Sequence, residues 1–218
     1  MPAMLIKNIL RRPAAALIGI VLAALAQRLY VLAVKLPTIN SDEAIIGLMA
    51  RHIQAGARPF FYYGQSYYGP LDAYLDALVF SLWGSSDLTL RLLPLLCSLL
   101  FVPAVYWLGS RLYSVRVGLV SALFAAVCPA FLAVRGLKGD AAYSLVLLIG
   151  TLNLLLFQDW LARPSRWKLV GLAALSLLGT WVFPLMLYYV FAMLATAVWV
   201  ALKARQRISV FMPRKFFA

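Results

Sequence analysis

Five stretches of this sequence stay apolar for longer than a helix in a water-soluble core requires: 13–34, 88–108, 117–134, 141–157 and 169–202. About 20 consecutive apolar residues cross the hydrocarbon core of a bilayer once, so the pattern predicts a polytopic membrane protein. Composition agrees. Apolar residues make up 64% of the chain and charged residues 12%, against about 45–50% and about 25% in soluble domains. Mean hydropathy is +0.89. Such a chain cannot cover itself with polar surface in water. The first run is too long for the apolar core of a signal peptide and lacks a small-x-small cleavage pattern, so it reads as a retained membrane helix. Cys97 and Cys128 lie in apolar runs with no CxxC or Cys/His spacing. They read as small buried hydrophobes, without a disulfide or a zinc site.

The net charge of +13, from 20 Lys+Arg against 7 Asp+Glu, would suit a nucleic-acid binder if it were clustered in one polar region. It is distributed as membrane topology instead. The run 169–202 is over-long for one crossing and just long enough for two, with the turn near Trp181-Val182-Phe183-Pro184. Two crossings give about six transmembrane helices, over 13–34, 88–108, 117–134, 141–157, 169–183 and 185–202, with both termini cytoplasmic. The inside segments then hold Lys7, Arg11, Arg12, Arg111, Arg116, Arg163, Arg166, Lys168, Lys203, Arg205, Arg207, Arg214 and Lys215, against the single acid Asp159. The outside segments balance Lys35, Arg51, Arg58, Arg91, Arg135 and Lys138 against Asp42, Glu43, Asp72, Asp76, Asp87 and Asp140. A five-helix layout would put the C-terminal cations outside, against the positive-inside bias. The expected fold is therefore all-α: one membrane domain over 1–218, a polytopic transmembrane helical bundle in the cell (inner) membrane.

That layout leaves an external loop over 36–87, long enough to need structure of its own. Asn40-Ser41-Asp42-Glu43 predicts a helix start, Asn40 as N-cap and Glu43 completing a capping box. Ile45, Met49 and Ile53 then share a face, and Gly56 with Pro59 ends the helix near residue 55. A second helix, over about 70–83, starts at Pro70 and carries Leu71, Leu75, Leu78 and Leu82 along one stripe. Both are expected to be amphipathic helices at the outer interface. Between them lies an aromatic run, Phe60 to Tyr68.

Six of the seven acids fall on one side of the membrane, although acids contribute little to topology. Two loops carrying Asp42, Glu43 and Asp140 reach the same face, where they can form a site. Each acid also has a structural reading. Glu43 can close a capping box, Asp140 can cap the helix that follows it, and Asp72 with Asp76 can be a solvated face. Asp42 is least explained this way, because Asn40 or Ser41 already supplies a cap. Arg28, late in the first helix, is expected to pair with an external acid such as Asp42 or Asp140 rather than face lipid. His52 alone does not make a metal site.

The ordered set of residues resembles the GT-C glycosyltransferases, in the branch of protein mannosyltransferases, lipid A aminoarabinose transferases and lipopolysaccharide-core galacturonosyltransferases. The resemblance is carried by Arg28, by Ser41-Asp42-Glu43-Ala44, and by Gly64-Gln65-Ser66-Tyr67-Tyr68-Gly69-Pro70-Leu71-Asp72-Ala73-Tyr74-Leu75. It continues through Phe80-Ser81-Leu82-Trp83-Gly84, Leu90-Arg91-Leu92-Leu93-Pro94, Gly109-Ser110-Arg111-Leu112-Tyr113, Cys128-Pro129 and Asp140. Order and spacing agree from about residue 16 to 157.

The resemblance implies inverting transfer of a sugar from a polyprenyl-phosphate donor to a hydroxyl of a glycan, lipid or protein acceptor, at the external membrane face. Asp42 matches the family's catalytic acid and is the expected general base. Glu43 beside it and the second acid, Asp140, complete the expected catalytic set. Arg58, Arg135 and Lys138 are external cations able to stabilise a leaving lipid phosphate. Tyr67 and Tyr68 can pack on the sugar or the lipid head, and Asp72 belongs to the same motif. No cofactor and no divalent metal is implied. Some branches carry Lys-Pro-Pro where this chain has Tyr68-Gly69-Pro70, so a phosphate-binding lysine does not carry over. Family members usually run considerably longer, and the chain is expected to correspond to their N-terminal part. Two other readings stand beside this one: a catalytically silent, truncated membrane scaffold, and a small transporter. A transporter would place ionisable residues in the helices near the midplane, where Arg28 is the one firm candidate.

Overall fold

A computed structural model describes residues 12–34, 38–128 and 130–211; Lys7, Arg11, Lys35, Pro129, Arg214 and Lys215, invoked above, lie outside them. The elements in order are α1 (Pro13–Val34), α2 (Ser41–Gln54), α3 (Leu71–Trp83), α4 (Asp87–Leu90), α5 (Leu92–Leu112), α6 (Val115–Ala126), α7 (Ala130–Arg135), α8 (Ala142–Ala162), α9 (Arg166–Val182) and α10 (Met186–Phe211). Extended pairing among the described residues is confined to one antiparallel bridge, Tyr62 with Gln65. The protein is an all-α bundle.

Among the described residues four stretches are long and apolar enough to cross a membrane: Pro13–Val34, Asp87–Leu112, Ala142–Ala162 and Met186–Lys203. The run expected over 117–134 is divided between α6 and α7, with α6 ending at Ala126. Cys128-Pro129 follows in the sequence, and a residue before proline disfavours helical backbone. The last apolar run turns at Phe183-Pro184-Leu185, between α9 and α10. At 17 residues, α9 is about 25 Å long at 1.5 Å per residue.

Helix ends follow local chemistry. The Asn40 side chain accepts the Glu43 N–H at 2.9 Å, and Ser114 accepts from Val117 N–H at 3.3 Å. Ser86 and Thr89 form a full capping box around α4. Gly56 and Gly84 take positive φ (103° and 79°) just past α2 and α3, a backbone region that costs glycine little. The expected capping box at α2 is half formed, because the Glu43 carboxylate is engaged elsewhere.

Inside the bundle α5 forms a hairpin with α6 and packs also on α1 and α8, while α8 packs on α9 and α10. A Cβ on Gly109 would lie 3.1 Å from the Gly118 Cα, so glycines let α5 and α6 approach. The largest core cluster joins Ile46 and Met49 of α2, Ala73, Ala77 and Phe80 of α3, Leu93 and Cys97 of α5, and Leu145, Val146 and Ile149 of α8. The loop helices are thus built into the bundle's core. Of the apolar stripe on α3, Leu71 and Leu75 pack against this cluster while Leu78 is 64% and Leu82 72% exposed, and the buried face carries Asp72 and Asp76 at 0%. Their reading as a solvated face is therefore corrected. An apolar stripe on an interfacial helix faces lipid as readily as protein.

Arg28 is buried at the junction of α1, α5 and α6. Its Nε donates to the Ser98 hydroxyl at 2.9 Å, and its Nη1 to the carbonyls of Ala24 (3.1 Å) and Ala126 (3.3 Å). Its described partners are a hydroxyl and carbonyls, so the expected pairing with Asp42 or Asp140 is not found. The Ala126 carbonyl is at the end of α6, where the helix supplies no N–H to it.

Candidate functional site

The ends of the elements sort into two groups. At one end Arg111 pairs with Asp159 at 3.0 Å, and Lys168 donates to the Asp159 and Arg163 carbonyls at 2.8 and 3.3 Å. At the other end, loop 55–70, the start of α2, loop 136–141 and the turn after α9 converge. Trp181 fastens this side: its indole N–H donates to the Phe60 carbonyl at 3.1 Å, and its carbonyl accepts from Gly69 N–H at 2.7 Å. A Cβ on residue 69 would run into the Trp181 ring, so this approach requires glycine.

A cavity of about 170 Å³ opens where these segments meet, with Asp42 and Asp140 both lining it. Tyr62, Tyr67, Tyr68, Tyr143 and Phe183 form aromatic walls, and Gln65 and Arg135 add polar groups. Asp42 stands exposed in the first turn of α2. Its backbone is held by Tyr62, whose hydroxyl donates to the Asp42 carbonyl at 3.0 Å. Tyr62 stacks on Tyr68 with centroids 4.8 Å apart and planes 7° from parallel. The Tyr68 hydroxyl donates to Asp72 Oδ2 at 3.2 Å. Burial, then the charges of Asp72 and Asp140, push the Tyr68 phenol far above its ordinary range.

Asp140 does not cap α8, whose N-cap is Ala141 with no side-chain cap bond. It pairs with Arg135 at 2.9 Å, and that guanidinium lies 4.5 Å over the Tyr143 ring. Burial raises the Asp140 carboxyl to about 6; the Arg135 and Lys138 charges oppose the shift, and those of Glu43 and Asp42 add to it.

Arg135 and Tyr143 also line a second, larger cavity of about 390 Å³. Its other walls are mostly apolar, among them Phe101, Phe124, Val146 and Leu185, with Cys128 and Arg28 also lining it. The two cavities therefore share a wall carrying a guanidinium.

Of the residues expected at the site, Asp42, Asp140, Tyr67, Tyr68 and Arg135 line the smaller cavity. Glu43 and Asp72 are fully buried and do not line it. Lys138 is half-buried near Asp140. Arg58 is exposed, and its guanidinium donates to the carbonyls of Ala57 (2.8 Å) and Ile53 (3.5 Å), away from the cavity. Not anticipated were Tyr62, Gln65, Tyr143 and Phe183. Tyr62 and Gln65 lie within the aromatic run already noted and Phe183 within the turn that divides the last apolar run, whereas Tyr143, at the start of α8, carries no local mark.

Residues 68–214 match the family described as dolichyl-phosphate-mannose-protein mannosyltransferase. The chain belongs to this family. It is thus a membrane protein of the GT-C glycosyltransferase type. The matched span includes Tyr68, Asp72, Arg135, Lys138 and Asp140; Asp42 and Glu43 precede it. No curated protein and no solved structure matches the chain. Glycosyltransferases of this family work on lipid-linked sugars in membranes, which suits a polar cavity sharing a wall with an apolar one.

Proposed function

We propose that this mannosyltransferase-family chain transfers a sugar from a polyprenyl-phosphate donor to an acceptor hydroxyl at the external face of the cell membrane. The membrane is crossed six times, with both termini on the cytoplasmic side. The observation carrying this reading is the meeting of Asp42 and Asp140 in one cavity whose Arg135–Tyr143 wall also bounds an apolar cavity. Asp42 is the general base. It takes the proton of the acceptor hydroxyl as that oxygen attacks the anomeric carbon, a contribution typically worth about 100- to 10,000-fold. The bond from the anomeric carbon to the phosphate oxygen breaks, and its electron pair leaves with the lipid phosphate. Attack from the face opposite the phosphate inverts the anomeric centre. Arg135 stabilises the charge growing on the phosphate, the prenyl chain occupies the apolar cavity, and Asp140 orients the acceptor. Tyr67, Tyr68 and Tyr143 pack on the sugar. Among the external cations, Arg135 is favoured over Arg58 because it alone of the two lines both cavities.

The test is an amide series on the full chain in membranes, assayed with prenyl-phosphate sugars. Asp42→Asn should lower kcat about 100-fold or more and leave the donor KM within a few-fold. Wild-type turnover should fall as pH drops through about 6, where Asp140 takes up a proton. Asp140→Asn should remove that acid limb. Full turnover in Asp42→Asn overturns the general-base assignment, and no turnover in the wild type favours a silent scaffold.

A further inference from the structure

We infer that Glu43 and Arg91 are positioning residues that set the spacing of Asp42 and Asp140 across the cavity, a deeper reading that rests on the transfer site proposed above. Asp42 belongs to α2 and Asp140 to the loop before α8, and neither local conformation fixes their separation. The connection runs behind the cavity wall. Glu43 Oε2 accepts the Gly139 N–H at 2.8 Å and lies 3.6 Å from Arg91 Nη2. Arg91 Nη1 donates to the Leu137 carbonyl at 3.3 Å. Glu43 is 0% and Arg91 1% exposed, so water does not weaken the pair. One carboxylate therefore ties the start of α2, the start of α5 and loop 136–140 together.

The two anchored positions are the direct chain neighbours of the two cavity acids, Glu43 following Asp42 and Gly139 preceding Asp140. Sliding one loop against the other would break the Gly139 bond and separate Glu43 from Arg91. A Cβ on residue 139 would stand 2.7 Å from Leu90 Cγ and 3.4 Å from Glu43 Oε2, so the loop sits against this anchor because residue 139 is glycine. The local use of Glu43, returning to the cap of α2, is forgone. A buried ion pair is weak evidence for stability, and fixing geometry is one use for which such pairs are kept. A displacement of about 1 Å at reacting groups can cost about 100-fold in rate.

The test combines kinetics with hydrogen exchange on the full chain in lipid nanodiscs. Glu43→Gln keeps an acceptor for Gly139 but loses the counter-charge to Arg91; Arg91→Met removes the other half, and Arg91→Lys keeps the charge. Each of Glu43→Gln and Arg91→Met should lower kcat about 10- to 100-fold with the donor KM unchanged, and Arg91→Lys should restore part of the loss. The double variant Glu43→Gln/Arg91→Met should be no slower than the worse single one, since both break one link. Amide protection across 136–140 should fall in Glu43→Leu and Arg91→Met, and stay at the wild-type level in Asp42→Asn. Multiplying losses in the double variant, or wild-type protection of 136–140 in Glu43→Leu, overturns the proposal. If the wild-type chain transfers no sugar, the function proposed above fails, and the exchange measurement still decides whether the anchor exists.

Discussion

At the scale of single residues, a buried acid without a partner is costly as long as it is charged. Both carboxylate oxygens of Asp76 are buried with no hydrogen-bond partner among the described residues. Burial, then the charge of Asp72, raises Asp76 from 3.8 to about 9, and burial raises Asp72 to about 7. The sign follows from proton binding. The folded chain keeps a proton on Asp76 that the unfolded chain releases near 3.8, so this contribution to stability is complete below about 4 and is lost as pH rises toward 9. Asp72 behaves alike over a narrower window. Stability of the full chain in detergent, followed by its thermal midpoint, should therefore fall as pH rises from about 4 to about 9, by up to about 1.4 kcal/mol per pH unit from Asp76. Asp76→Asn should flatten most of that fall; parallel curves for the two proteins would refute the assignment. The individual acids were unequally legible. Asp42 and Asp140 stand out because acids gather on one side of the charge pattern, and they do line one cavity. Glu43 suggested a capping box, a rule that sees only neighbours, whereas its partner Gly139 is 96 positions away.

At the scale of elements, hydrophobic periodicity located the helices and left open which face of α3 the protein covers. Four leucines at helical spacing mark an apolar stripe, and Leu78 and Leu82 of that stripe are exposed. Periodicity tells where polarity changes around a helix, and in a membrane protein the apolar side has two possible neighbours, lipid and protein. The turn in the last apolar run was legible from length together with charge, because 34 residues are over-long for one crossing and a single crossing would put the C-terminal cations outside. The contacts of α9 are two-ended: its start lies with Arg163 and Asp159, and its finish with Phe60 and Gly69. In a background with Cys97 and Cys128 replaced by alanine, Ser66→Cys and Ser85→Cys should react with an impermeant maleimide on intact cells. Ala162→Cys should react only after permeabilisation. Equal labelling of all three would refute the crossing pattern.

At the scale of the whole molecule, the site belongs to no single element. Its acids come from α2 and the loop before α8, its guanidinium from α7, and its aromatic walls from loop 55–70, α8 and the turn after α9. Those pieces meet only when the helices are packed, which is why the apolar cavity and the contributions of Tyr143 and Phe183 could not be read from spacing. The fold class could be read, because it depends on the solvent a sequence suits rather than on contacts between distant residues.

Arg28 adds a dimension of time. A ribosome delivers α1 to the membrane before Ser98 and Ala126, which are 70 and 98 residues further along, have been made. During that interval the guanidinium has only the Ala24 carbonyl of its own helix to bind, and a bare arginine costs about 2.5–3.5 kcal/mol at mid-helix on insertion scales and less toward the interface. Its first helix should therefore seat shallowly at birth and settle only when α5 and α6 arrive. Nascent chains arrested before residue 98 should show this as a shift in how far from α1 an engineered glycosylation acceptor must stand to be modified. Arg28→Leu should abolish the shift between arrested and complete chains, and an equal reading for both in the wild type would refute delayed seating.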